Sequence, residues 1–167
     1  MKNIVLCGMM GSGKTTVARA LNAIYNLNWV DTDDKIVGQY GAINGIFARL
    51  GEEGFRDIES DVTKRVAQSC QNSVISLGGG CVLRKINVEE LKKTGVIFYL
   101  RTSPEAVIKR VKGDTTRPLL HGDLEERVRT ISANRAALYE GAADYIIDTD
   151  DKSPERIAEL IMEKMQK

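Results

Sequence analysis

The sequence predicts an α/β fold in which a five-stranded parallel sheet is flanked by helices on both faces. Three observations carry that expectation. Five short apolar runs recur along the chain, segments with a helical repeat separate them, and a glycine-rich loop joins the first run to the first helix. Runs that do not alternate apolar with polar residues suit strands buried on both faces, and strand-helix alternation builds a parallel sheet.

The first strand is Asn3–Cys7, and "GMMGSGKTT" at 8–16 follows it. So many glycines cost backbone entropy and forgo side-chain packing, which points to a task for the backbone itself. Residues 8–15 match G-x-x-x-x-G-K-[ST] between a strand and a helix. There, Gly11, Ser12, Gly13 and Thr16 would help form an anion nest at the positive end of a helix, with Lys14 on the β- and γ-phosphates of ATP or GTP. The Thr15 hydroxyl would ligate Mg²⁺, a hard cation that prefers oxygen. Val17, Leu21 and Ile24 carry the helix that follows.

Residues 28–30 make the second strand, and "DTD" at 31–33 ends it. In a parallel sheet the carboxyl ends of the strands face the ligand crevice, so both acids would point at phosphates. Asp31 would hold a metal-bound water and Asp33 an acceptor hydroxyl; a helix N-cap or a solvated turn would use the same residues. Segment 34–53, with four glycines among short apolar clusters, reads as a small helical excursion. Phe55, Ile58, Val62 and Val66 mark the next helix, on which Glu59 stands one turn from Arg56 and could orient it.

Strand 73–77 ends in Gly78-Gly79-Gly80 where an aspartate is usual after a phosphate loop, so the carboxylate must come from "DTD". The three glycines suit a tight turn or a close ligand approach to the backbone. Strand 96–100 comes next. The polar segment 112–123, containing Pro118, has the length of an active-site lid or of a mobile connector. Proline holds Arg117 extended, which would aim it at a transferring phosphoryl group, unless it is a surface arginine. His121, the only histidine, has no general-base partner and reads as a surface or lid residue.

Leu124, Val128, Ile131 and Leu138 form an inward stripe that Arg135 shares. An inward guanidinium needs a partner. Converging with Arg56, it would suit the carboxylate of a small anionic acceptor; pairing with local acids is the alternative. Strand 145–147 and the stripe Ile157, Leu160, Ile161 complete the pattern.

Nothing divides residues 1–167, so one domain is expected. A formal charge of +1 from interspersed acids and bases gives no reason for a nucleic-acid or membrane partner. The N-terminal apolar run is too brief for a signal-peptide core and no later run approaches membrane-spanning length, so a cytoplasmic protein is expected. Cys7, Cys70 and Cys81 lack metal-ligand spacing and read as packed, reduced thiols.

"GMMGSGKTT", "DTD", "GEEGFRDIE", "SLGGG", "TTRPLL" and "ANRAALY" occur in an order and spacing that resembles the shikimate kinase family over residues 4–154. The resemblance implies a P-loop, nucleoside-monophosphate-kinase-like fold with a substrate-binding region at about 33–61 and a lid at about 112–123. It implies transfer of the γ-phosphoryl group of ATP to the 3-hydroxyl of shikimate, in aromatic amino-acid biosynthesis, by a monomer.

Carried over by position, the resemblance implies that Asp33, Arg56, Gly79 and Arg135 bind shikimate beside Gly78 and Gly80, with the arginines on its carboxylate. Asp33 would hold the attacking hydroxyl and accept its proton, with Lys14 and Arg117 completing the catalytic set. Thr15 would bind Mg²⁺ directly and Asp31 through water. Arg110, Lys152 and Pro154 resemble adenine-flanking positions, and Phe47 and Phe55 resemble substrate-pocket aromatics. Ala18 stands where many relatives have glycine, and Gly45 where an acid often precedes Ile-Phe. Another small-metabolite kinase, such as a gluconate kinase, would share the phosphate loop but not the arginine pair with "RPLL". A nucleotide sensor without turnover would need neither Asp33 nor a lid arginine.

Overall fold

The computed structural model describes residues 1–112 and 123–167; Arg117, His121 and nearly all of segment 112–123 lie outside the described residues. The described chain forms one parallel sheet from β1 (Asn3–Cys7), β2 (Asn28–Asp31), β3 (Ser73–Ser76), β4 (Gly95–Arg101) and β5 (Tyr145–Asp148). Their order is β2-β3-β1-β4-β5. Each of the five apolar runs becomes a strand. From central β1 the chain runs out to β2, returns through β3 and crosses to β4, so the carboxyl end of β1 lies at the switch point where such sheets bind ligands.

Successive strand residues face opposite sides of a sheet, and both sides are covered. Ile4, Leu6, Val74, Phe98 and Leu100 pack under helices α1 (Lys14–Tyr25) and α7 (Pro154–Met165). Val5, Cys7, Ile75, Ile97 and Tyr99 pack under α3 (Ile43–Ser69), α4 (Lys85–Thr94), α5 (Pro104–Lys112) and α6 (Leu124–Ala142). Dual burial explains why β1 reads as an unbroken apolar run.

The expectation of strands buried on both faces fails for β2 and β5, which form the two edges and are partly exposed. Ile24 and Leu138 also lie outside the core, at 48% and 42% exposure. On α6 the inward stripe runs through Val128 to Tyr139 and Ala142, with Leu124 and Ile131 half-buried against it. A helix turns 100° per residue, so the stripe beyond Arg135 continues at i+4 with Tyr139 rather than at i+3 with Leu138.

The glycine-bearing excursion is α2 (Thr32–Tyr40) followed by the first turns of α3, which bends at Gly51 where φ is 68°. Helices α4 and α5 escape the periodicity reading. Each is short, and α4 buries only Asn87 and Leu91. No helix among the described residues is long and apolar enough to cross a membrane.

Candidate active site

The phosphate loop leaves an unfilled helix end. Gly13 caps α1 in the left-handed region at φ 92°, with no side-chain cap and no acid in the first turn. Helices α2 and α7 differ: Asp31 accepts from the Asp33 and Asp34 amides, and Ser153 accepts from the Arg156 amide, each with acids in the first turn. The first turn of α1 thus carries no acid of its own and begins with Lys14, an arrangement suited to a bound phosphate. Lys14 donates to the Gly8 carbonyl at 2.9 Å and the Met9 carbonyl at 2.8 Å, holding its ammonium over the loop. Arg110 reaches the loop from α5, its Nη1 2.9 Å from the Gly11 carbonyl oxygen.

The residues of "DTD" divide three tasks. Asp31 is an N-cap, as one sequence reading allows, and still lines the cavity described below. Thr32, fully buried, accepts the Gly78 amide on its hydroxyl at 3.0 Å, fastening the end of β2 to the glycine turn after β3. Asp33 places its carboxylate against Gly78, where a Cβ would collide with Oδ1. Burial raises the Asp33 carboxyl to about 6, reinforced by Asp31, Glu59 and Asp34 and opposed by Lys14.

The triple glycine is explained by space rather than by unusual dihedrals, since none of the three has positive φ. A Cβ on Gly80 would lie 2.5 Å from the Arg56 guanidinium. One on Gly79 would meet Arg135 Nη1 at 3.6 Å, the Met10 amide nitrogen at 3.7 Å and the Gly8 carbonyl at 3.8 Å. The turn therefore sits where Asp33, Arg56, Arg135 and the phosphate loop converge, which only a backbone without side chains allows.

Arg56 donates to Glu59 at 2.7 Å, with Glu52 farther off at 3.8 Å. The Glu59 side chain is 2% exposed, and burial raises its carboxyl above the usual range even though Arg56 pulls it down. Removing one partner of such a pair strands the other charge. Glu59→Ala is expected to cost about 3 kcal/mol of stability, read from urea unfolding, because among the described carboxylates the buried guanidinium then keeps the distant Glu52 alone. Phe55 is buried and stacks on half-exposed Phe47 with centroids 4.7 Å apart, and the Arg56 guanidinium lies 5.2 Å from the Phe55 centroid.

A cavity of about 540 Å³ opens at the carboxyl ends of β1, β2 and β3. Its wall includes Gly11, Gly13, Lys14, Thr15, Thr16, Asp31, Asp33, Gly78, Gly79 and Arg110. Ser12 is buried inside the loop, and Arg56 and Arg135 abut Gly80 and Gly79 of the glycine turn without lining this cavity themselves. Phe47, Phe55, Lys152 and Pro154 do not line this cavity, and Pro154 occupies the first turn of α7, where its fixed φ favours helix initiation.

Sequence reasoning missed Met10, Asp34, Leu77, Val111 and Ser76, all on the wall. Ser76 pairs with Asp31 across the strands, and its buried hydroxyl has no hydrogen-bond partner among the described residues. No short motif marks it. Thr15, Asp31 and the orphaned Ser76 hydroxyl line the same cavity, and oxygen donors of this kind fit a hard divalent cation that keeps part of its water shell. Burial pushes the Cys7 and Cys81 thiols up to about 12, in keeping with packed rather than reactive cysteines.

A sequence model of the family described as "Shikimate kinase" matches residues 10–166. A shikimate kinase from Caldicellulosiruptor saccharolyticus is 46% identical over 164 residues, 97% of this chain and 94% of its own. One from Thermodesulfovibrio yellowstonii is 43% identical over 169 residues, 100% of this chain and 96% of its own. Among solved structures, the shikimate kinase from Acinetobacter baumannii in complex with shikimate superposes with a TM-score of 0.90 at 35% identity, covering 99% of this chain and 93% of that one.

Proposed function

The chain belongs to the shikimate kinase family, and from that premise we propose that its cavity transfers the γ-phosphoryl group of ATP to the 3-hydroxyl of shikimate, giving shikimate 3-phosphate and ADP. One observation supports this assignment of the site above others. The uncapped end of α1 and the Asp33 carboxylate, set against Gly78, share one wall, so a phosphate donor and a hydroxyl acceptor fit side by side.

Phosphoryl transfer asks the protein for positioning and charge stabilisation more than for covalent help. The first-turn amides of α1 and Lys14 hold the triphosphate in line with the acceptor. Arg56, fixed by Glu59, and Arg135, beside Gly79, clamp the shikimate carboxylate and turn the 3-hydroxyl toward Asp33. Asp33 accepts the hydroxyl hydrogen bond and takes its proton as the oxygen attacks. Arg110 flanks the adenine, and the catalytic role given to Arg117 by the family resemblance falls outside the described residues. Thr15 and Asp31 would hold Mg²⁺, which would supply positive charge against the phosphates. The enzyme works as a cytoplasmic monomer on two small molecules, without a nucleic-acid or membrane partner.

ADP release in the presence of ATP, Mg²⁺ and shikimate, compared with a control lacking shikimate, tests the reading. Shikimate-dependent ADP with shikimate 3-phosphate found by mass is expected; ATP binding without it would leave only a nucleotide site. A free-enzyme base near pH 6 further predicts an acid limb in kcat/KM for shikimate centred near that pH. Protonated Asp33 cannot accept, so activity falls as pH drops through 6 and levels off above it. A flat profile from pH 5 to 8 would remove Asp33 from the proton-accepting role.

A further inference from the structure

The glycine turn is held from one side by Thr32 and from the other by a residue that the reaction does not obviously require. Tyr139, on α6, is 1% exposed, and its hydroxyl donates to the Gly79 carbonyl at 2.5 Å. Met9 Sδ, in the phosphate loop, lies 4.0 Å from the same oxygen. The ring stacks on Tyr99 of β4, centroids 5.1 Å apart, which fixes the direction of the hydroxyl. Arg135 stands one turn earlier on the same helix, and its guanidinium adjoins Gly79. Arginine, glycine turn and phosphate loop therefore meet around one phenol oxygen.

We propose that Tyr139 is a positioning residue for the acceptor: its hydroxyl holds the Gly79 carbonyl and so sets the turn against which Asp33, Arg56 and Arg135 are placed. The inference rests on the reading of this cavity as the shikimate site. Glycine supplies no side chain to anchor itself, so a turn of three needs fastening from outside. The Thr32 bond fastens the Gly78 amide where the turn begins, and the Tyr139 bond fastens the Gly79 carbonyl two peptides further on. Losing the second leaves a carbonyl without its donor and frees a backbone whose neighbours, Gly78 and Gly80, abut the Asp33 carboxylate and the Arg56 guanidinium. Burial also pushes the phenol up to about 12 despite nearby Arg135, so it stays a donor throughout the working pH range.

Tyr139→Phe removes the oxygen and keeps the ring. The matched control is Tyr99→Phe, in the same stack but lining a separate groove with Thr102 and Pro104. Calorimetric Kd and kinetic KM for shikimate are measured with KM for ATP and the thermal midpoint, in wild type and both variants. Tyr139→Phe is expected to raise Kd and KM for shikimate roughly five- to tenfold with KM for ATP within about twofold, while Tyr99→Phe moves neither. Equal rises for both substrates, no change in shikimate affinity, or loss of the folded state in Tyr139→Phe would each overturn the proposal. A wild-type protein that neither binds nor phosphorylates shikimate would overturn the underlying reading. One that does both, with Tyr139→Phe identical to it, would overturn the role of Tyr139 alone.

Discussion

Replacing Asp33 by asparagine is expected to lower kcat for shikimate phosphorylation by about 10²- to 10⁴-fold while ATP affinity stays within about twofold. The amide keeps the size of the carboxylate against Gly78 but cannot take a proton. The nucleotide is held by the α1 amides and Lys14, so its binding has no reason to follow turnover. Single-turnover rates and equilibrium ATP titration separate the two effects. A parallel loss of both would make Asp33 part of the nucleotide site.

The same substitution carries a signature in stability. Folding raises the Asp33 pKa, so the folded state binds a proton more tightly than the unfolded chain does. Stability from this group is then full at low pH and falls as pH rises from about 4 through about 6. Asp33→Asn is therefore expected to melt higher than wild type at pH 8, by roughly 1–2 kcal/mol of stability, and to match it near pH 4. A functional carboxylate held in an unfavourable site is the usual origin of such a gain. A lower midpoint at pH 8 would contradict the burial argument.

Arg135→Ala is expected to raise KM for shikimate by about 10²- to 10³-fold, with a smaller effect on kcat and little on KM for ATP. Charge-assisted hydrogen bonds contribute roughly 1.5–3 kcal/mol each, and a bidentate guanidinium makes two. Arg135→Lys should recover only part of the loss, because an ammonium keeps the charge without the planar fork. An unchanged shikimate dependence in Arg135→Ala would remove the carboxylate clamp. Arg56 is a poorer choice for this test, since its removal also strands buried Glu59 and mixes binding with folding.

What could be read along the chain was what depends on near neighbours. The phosphate loop is legible because its glycines, lysine and threonine act within a few residues of each other, and the inner strands because dual burial writes itself as continuous apolar runs. The Arg56–Glu59 pair was equally accessible, being one helical turn apart. The phase of α6 was not, because Leu138 and Tyr139 are both plausible on an apolar stripe and only packing against β4 and the glycine turn chose the tyrosine.

By itself, then, the sequence determined the sheet, the phosphate loop and the motif set of the family, all products of local periodicity and short-range backbone chemistry. Tertiary structure alone decided that Thr32 fastens Gly78 from 46 residues away, that Tyr139 holds Gly79 from 60 away, and that Ser76 faces the cavity beside Asp31. It also decided the raised pKa of Asp33. Desolvation and long-range hydrogen bonds depend on distances through space, and those distances exist only once the order β2-β3-β1-β4-β5 has brought the strand ends together.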